Sequence, residues 1–430
     1  MNIWIINNNN PFRASGLVGY DFYREFKERG HNVRLLVNYY DKTYPPDIIS
    51  LETPFVIEKN KLRRRIEKRL PFKREILTNP DYHFHELREM KSFYRTQKIM
   101  KKAGIRPDVI LILFAKDFIN ARNIYQLYNK TGAKILWLMY DMAPFTGGCH
   151  YAWDCTRYRQ NCGLCPGLYS SDEFDISYKN LAYKKHYISK TEIEIISASE
   201  WQYRQALSSS LFTGKTIHKI LLSVDPEVFK PVDRHDLRIR MGLPPNKKII
   251  FFGSVYMGHR RKGMKYLLES LKILREKSTG TSLEKNIMLL IAGRQIESIA
   301  DSLPFPYHYL GFVDNTTGIA SAFQAADVFL CPSIEDSGPS MINQSLMCGT
   351  PVVAFEMGVS LDLVINESTG YRAKLADSHD LSRGLINVLS LDDVSSVKYM
   401  KNCRNLAMQL CAPEVQMREI EKIIGIQKPL

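Results

Sequence analysis

The chain has 430 residues, 45% of them apolar, which is enough to fill two cores of ordinary domain size. Its 59 Lys and Arg against 45 Asp and Glu give a formal charge of +14, which favours an acidic partner (a nucleotide, a phospholipid surface or nucleic acid) without choosing among them. The start MNIWIINNNNPF lacks the basic head and long apolar run of an export signal, and no 18-residue uncharged apolar stretch occurs; the expectation is therefore a cytoplasmic protein whose eight cysteines are reduced thiols or metal ligands rather than disulfides.

Short apolar runs at Ile3–Ile6, Val33–Val37, Val109–Phe114, Ile135–Met139 and Ile193–Ile196 alternate with helical patterns such as Val18–Arg29 and Phe118–Asn129. This is how a parallel sheet with crossover helices reads. The alternation resumes at Ile249–Phe252, Ile287–Ala292, Val328–Cys331 and Val352–Phe355. Between the two halves, SVDPEVFKPV (Ser223 to Val232) has two prolines and no period, so it is read as a linker. The expected organisation is a Rossmann-like domain over 1–222, the linker over 223–232, a second Rossmann-like domain over 233–410, and a C-terminal helix over 411–430 that packs back on the first domain.

Two such domains facing a central cleft put the C-terminal ends of both sheets around one crevice, where ligands of doubly wound folds bind. In the first half, NNNNPFRASGLVG follows strand one and opens a helix, so Gly16 lets a ligand phosphate approach the backbone. In the second, Gly253 and Ser254 follow a strand, and a short loop delivers Arg260, Arg261 and Lys262 ahead of Gly263 and a helix; this turn suits a diphosphate, or else is simply solvated. The stretch CPSIEDSGPSMINQSLMCGTPVVAF, from Cys331 to Phe355, holds a strand end, a polar loop, a helix opening at Pro339 and capped at Gly349, and a buried strand. Free N–H groups from Gly338 through Ser340 to Met341, with Asp336 and Ser337 beside them, make an anion site.

Four of the eight cysteines, Cys149, Cys155, Cys162 and Cys165, fall within 17 residues, and Cys162-x2-Cys165 has the spacing of a metal knuckle. A structural zinc is the first reading, with two disulfides or free thiols as alternatives; four thiolates leave no open position for catalysis. The segment Lys59–Arg74 carries nine cations and one acid, with Leu62, Ile66 and Leu70 four apart. A helix here is amphipathic and basic, the pattern of a segment lying on an anionic membrane, and the alternative is a solvated charge run. Nucleic acid is disfavoured, because aromatic residues do not interleave with the basic ones.

In order and spacing, the ERGHNV turn at Glu28–Val33, YDMAPFTGGCHY, SVDPEVFKP, the GSV…RRKG turn, LGFVD at Leu310–Asp314, AADVFLCPS at Ala325–Ser333 and CGTPVVAF resemble the retaining GT-B glycosyltransferases of family 4, over Ile3 to about Val388. The resemblance implies two Rossmann-like α/β domains and transfer of a sugar from a nucleotide-sugar donor, with retention and without a cofactor for catalysis. It implies a glycan or polyprenyl-diphosphate-linked acceptor of surface-polysaccharide synthesis, and a peripheral place on the inner face of the cytoplasmic membrane. The family's Glu-x7-Glu pair falls on Asp336 and Gln344, with Glu335 next door, so this chain departs from the pattern twice. Gln344 retains two-ended hydrogen bonding to ribose hydroxyls, and Lys262 and Arg261 neutralise the leaving diphosphate. Base recognition is expected at the backbone of Gly311 and Phe312. Where the family carries a His-Asp pair, this chain has Tyr140-Asp141; Asp141 then orients the acceptor or acts as a base, or only caps a loop. A nucleotide-sugar epimerase of the same fold and an inactive, binding-only relative are the competing readings.

Overall fold

The computed structural model describes residues 1–12, 16–52, 76–87 and 89–426. The basic segment Lys59–Arg74, expected to meet a membrane, lies outside the described residues. Two compact units are present: Met1–Ser197 with Tyr203–Lys219, and Ala198–Gln202 with Ile220–Leu430.

Among the described residues, the first unit is built on a seven-stranded sheet of β1 (Asn2–Ile6), β2 (Asn32–Val37), β3 (Ile48–Ser50), β4 (Val109–Ile112), β5 (Lys134–Met139), β6 (Ile193–Ser197) and β7 (Ile217–Lys219). The order is β3-β2-β1-β4-β5-β6-β7 and every pairing is parallel. Strands of such a sheet are buried on both faces, which is why Ile3, Trp4, Ile5 and Ile6 are all fully buried. The helix expected over Phe118–Asn129 runs Ala121–Thr131 instead. Asn120 moves its start: the Asn120 side chain accepts from the Asn123 N–H, the Asn123 side chain accepts from the Asn120 N–H, and this reciprocal cap fixes the first turn.

The second unit is built on β8 (Lys248–Ser254), β9 (Ile287–Gly293), β10 (Tyr307–Tyr309), β11 (Val328–Cys331), β12 (Val352–Phe355) and β13 (Gly370–Ala373), in the order β10-β9-β8-β11-β12-β13, again all parallel. Alternate residues of β8 feed two separate cores: Ile249 and Phe251 pack with Phe323 and Phe329 on one face, Ile250 and Phe252 with Leu271, Leu289 and Leu330 on the other. Each such side chain contributes about 1.5–3 kcal/mol on burial. Gly253 and Ser254, expected just beyond this strand, are its last two residues, paired with Ala292 and Gly293 of β9. Pro339 precedes its helix as the cap, with ψ of 103°, and the helix itself runs Ser340–Met347.

The stretch read as a linker is packed into the second unit. Val224 and Phe229 are buried, the Val224 N–H donates to the Cys411 carbonyl, and Arg404 donates to the carbonyls of Pro226, Phe229 and Met347. The last helix, Pro413–Ile423, belongs to this same unit, where the Gln416 amide donates to the Leu221 carbonyl.

One glycine sets how closely the loops after β8 and β11 approach. Gly263 has φ +68°, and a Cβ there would stand 1.8 Å from the Pro332 carbonyl oxygen. Gly263→Ala is therefore expected to destabilise the protein by at least about 2 kcal/mol, through positive φ and the clash together, read as a lower urea midpoint at unchanged slope.

Candidate functional site

The strand order of the second sheet reverses between β8 and β11, and the loops leaving the C-terminal ends of those two strands meet there. The close approach at Gly263 is reinforced by the Ile334 N–H, which donates to the Arg261 carbonyl at 2.9 Å. On this frame Asp336 Oδ2 accepts from Lys262 Nζ at 2.7 Å and from Arg261 Nη1 at 2.6 Å. Arg260 stays exposed, so two of the three cations of the turn converge on the carboxylate. Burial opposes ionisation of Asp336, but Lys262 and Arg261 outweigh it and hold the carboxyl down to about 2. Asp336 is thus an anchor that fixes two cations at the end of β8.

Around this cluster, Glu335 and Ser337 are buried, and the Ser337 hydroxyl has no hydrogen-bond partner. The Gly338 N–H leans toward Asp336 Oδ1 at 3.4 Å, so one of the N–H groups expected to be free is already engaged. Ser340 and Met341 open the helix, and Gln344 lies half-buried on its second turn. Gly311, at φ +72°, lies early in the loop after β10, its carbonyl accepting from the Gly293 N–H at 2.8 Å. Phe312 is largely exposed, and the Arg294 guanidinium sits 4.2 Å from its ring centre. Arg294 escaped the sequence reading because it follows β9 without a recognisable motif.

In the first unit the order reverses between β1 and β4. Gly16 lies in the loop after β1, but the space beside its Cα is taken by the Asn10 carbonyl, 1.6 Å from where a Cβ would be; the close approach that needs glycine is to the chain itself. Asp141, just beyond β5, is more than a loop cap. Its Oδ1 accepts from the Ala143 N–H at 2.8 Å, and its Oδ2 lies 2.8 Å from His150 Nδ1. The chain after β5 loops back so that the Met142 N–H donates to the His150 carbonyl, while the His150 N–H donates to the Tyr82 carbonyl. A His-Asp pair is therefore assembled from positions nine apart, which no local motif discloses. Burial works against charge on both, yet each holds the other ionised: Asp141 is pushed below the usual carboxylate range and His150 above the usual imidazole range. Lys184 braces the same loop, donating to the carbonyls of Ala143 and Thr146 at 2.7 and 3.1 Å. Glu89 accepts from the Ala121 N–H, and burial, with Glu86 adding to it, drives its pKa up to about 7 against the pull of Lys184.

Cys149, Cys155, Cys162 and Cys165 are all free thiols lining one small cavity of about 20 Å³. Four sulfurs would suit a soft ion, but among the described residues no group of three or more His, Cys, Asp or Glu is arranged to hold a metal. Burial pushes the Cys162 and Cys165 thiols up to about 12 and about 11 and raises Cys149 as well, so in this arrangement they pack as neutral side chains. Cys331 and Cys348 are buried, as small apolar residues would be. Among the described residues no helix is long and apolar enough to cross a membrane.

Residues 233–407 match the family model Glycosyl transferases group 1. The matched stretch lies within the second unit. Over 164 residues the chain is 30% identical to a phosphatidyl-myo-inositol mannosyltransferase of Mycobacterium leprae, covering 37% of this chain and 41% of that protein. The chain thus spans about two-fifths of the length of the curated relatives it matches. Among solved structures, sucrose-phosphate synthase from Thermosynechococcus elongatus superposes with a TM-score of 0.66 at 17% identity, covering 98% of both chains. Anabaena HepE, solved with UDP and glucose, gives 0.59 at 14% identity, covering 99% of this chain and 100% of that one. These likenesses establish the fold: the two parallel sheets are those of the GT-B architecture.

Two buried carboxyls make opposite predictions. Asp336 titrates below its ordinary value of 3.8, so its stabilisation is present above about pH 4 and lost as pH falls toward 2. Asp336→Asn should cost at least about 2 kcal/mol at pH 6, a difference that shrinks below pH 4 in urea titrations. Glu89 titrates above its ordinary 4.5, so stability falls as pH rises from 4.5 through 7. Glu89→Gln, which keeps the acceptor for Ala121, should raise the melting temperature at pH 8, by up to about 3 kcal/mol in stability, and leave it unchanged near pH 4.5.

Proposed function

We propose that the protein is a glycosyltransferase that moves a sugar from a nucleoside-diphosphate sugar to a hydroxyl acceptor. The observation that carries this reading is the Asp336 anchor, which holds Lys262 and Arg261 together where the second sheet's strand order reverses. As the glycosidic bond to the nucleotide breaks, negative charge grows on the diphosphate. Cations already fixed in a partly buried site meet that charge without reorganising, and one such group is typically worth about 2.7–4 kcal/mol of barrier. The match of residues 233–407 to the family supports the same assignment.

In this reading the N–H groups of Ser340 and Met341 bind the phosphates at the helix start, and Gln344 reaches the ribose hydroxyls. The base lies against the Gly311–Phe312 backbone, near Arg294. Transfer proceeds with retention, the leaving phosphate taking the proton of the incoming hydroxyl, so Asp336 serves as an electrostatic anchor and not as a nucleophile. The acceptor is a glycan or a lipid-linked saccharide of surface-polysaccharide synthesis. The basic segment Lys59–Arg74 then places the protein on anionic lipid at the cytoplasmic face.

The test is a thermal-shift screen with UDP, GDP, ADP and CMP and their sugar conjugates, because a ligand that binds only the folded state raises its melting temperature. One nucleotide should raise it, and Lys262→Ala should keep the fold while lowering transfer from the matching donor by about 10²–10³. No shift with any nucleotide overturns the reading, and an interconverted donor sugar in place of a new glycoside shifts it to an epimerase.

A further inference from the structure

Between β5 and the helix Ile176–Ile188 the chain forms no strand or α-helix, only short 3-10 turns at Ala143–Phe145, Arg157–Arg159 and Pro166–Leu168. Trp153, Cys162, Leu164 and Tyr169 all take positive φ there, between 44° and 58°, a conformation that costs a non-glycine residue about 1–3 kcal/mol. Irregular folds with a thin core of their own are commonly held by disulfides or a structural metal. Segment 79–85 is docked on this lobe. The Asn79 N–H donates to the Gly167 carbonyl at 2.9 Å, the Trp153 indole N–H to the Asp81 carbonyl at 2.9 Å, and Phe84 pairs with Cys149.

At the centre of the lobe, the cavity shared by Cys149, Cys155, Cys162 and Cys165 has room for a single body the size of a water or an ion. Backbone N–H groups already serve two of the sulfurs, Gly147 for Cys162 and Gly167 for Cys165, which is the outer support a ligating thiolate needs. Arg157 lines the cavity, and Lys184 and Lys185 lie close enough to act on Cys162. These cations offset the negative charge that four thiolates leave on a divalent ion. A disulfide is neutral and makes no use of them, so the surroundings favour a metal over a pair of bridges.

We propose that Cys149, Cys155, Cys162 and Cys165 bind one structural zinc ion, which clamps the Asp141–His150 loop and segment 79–85 together. Each sulfur bonds to zinc at about 2.3 Å as its thiol proton passes to solvent, and nothing is oxidised or reduced. Among the described residues no three such side chains stand ready around an ion, so ligation turns the sulfurs inward about their Cα–Cβ bonds, into the cavity they already share. The clamp does not rest on the transfer reading.

Elemental analysis of the purified full chain, with thiol titration of the denatured protein alongside, tests this directly. About one zinc per chain is expected, with all eight cysteines titrating as thiols. Cobalt exchanged into the protein should show the thiolate-to-metal absorption of a tetrahedral sulfur site. Stripping the zinc with a chelator should lower the melting temperature by more than about 5 °C, and zinc alone should restore it. Cys162→Ser combined with Cys165→Ser should abolish zinc binding, whereas Cys348→Ala, in the other unit, should retain it. The proposal is overturned by missing thiols without metal, which means disulfides, by eight thiols that take up no zinc when it is offered, by iron in place of zinc, or by zinc retained in the double variant. The metal count and the cobalt spectrum are read on the unaltered chain, so they decide the matter even if the double variant fails to fold.

Discussion

Every strand of both sheets runs the same way, and that constraint arranges the rest of the molecule. A parallel strand returns only through a crossover, so helices cover both faces and the strands become continuous apolar runs. The loops that follow the strands must all leave from one edge of each sheet. Polar residues accumulate in these loops, and where the strand order of the second sheet reverses the loops after β8 and β11 come together. Lys262 and Asp336 are far apart in sequence, yet each follows one of the two strands that flank the reversal. Their meeting is a consequence of topology before it is one of charge.

The buried charges are treated in two opposite ways. Asp336 is surrounded by cations and stays ionised against the cost of burial, and in exchange fixes the positions of two long, flexible side chains. Glu89 accepts one backbone N–H and is pushed toward neutrality by burial, with a second carboxyl close by. The first arrangement holds three charges together in a partly buried place, whereas the second keeps a carboxyl poised to gain or lose a proton near neutral pH. Asp141 and His150 stand between these, each the other's counter-ion.

The inner strands were legible because they are buried on both faces and read as unbroken apolar runs. The strands without such a signal, β3, β7, β10 and β13, are the four edges of the two sheets, short and partly exposed. An edge strand pairs on one side only, and its side chains need not all be apolar. Tyr307 and Tyr309 of β10 are exposed on an edge and read as loop. Likewise, the prolines of Ser223–Val232 and its lack of period read as a linker, while burial of Val224 and Phe229 makes it part of the second core as well.

Amino-acid order alone determined the α/β class, the inner strands, the cationic turn at Arg260–Lys262 and the polar loop after Cys331, because each depends on local composition or on the period of a single segment. Tertiary structure alone decided that Asp336 anchors the two cations, that His150 completes a pair with Asp141, and that the four cysteines line one small cavity. Those outcomes depend on where loops separated by up to 75 residues come to rest. That is fixed by which strands are neighbours and how closely a glycine such as Gly263 lets their loops approach, and no single segment carries this information.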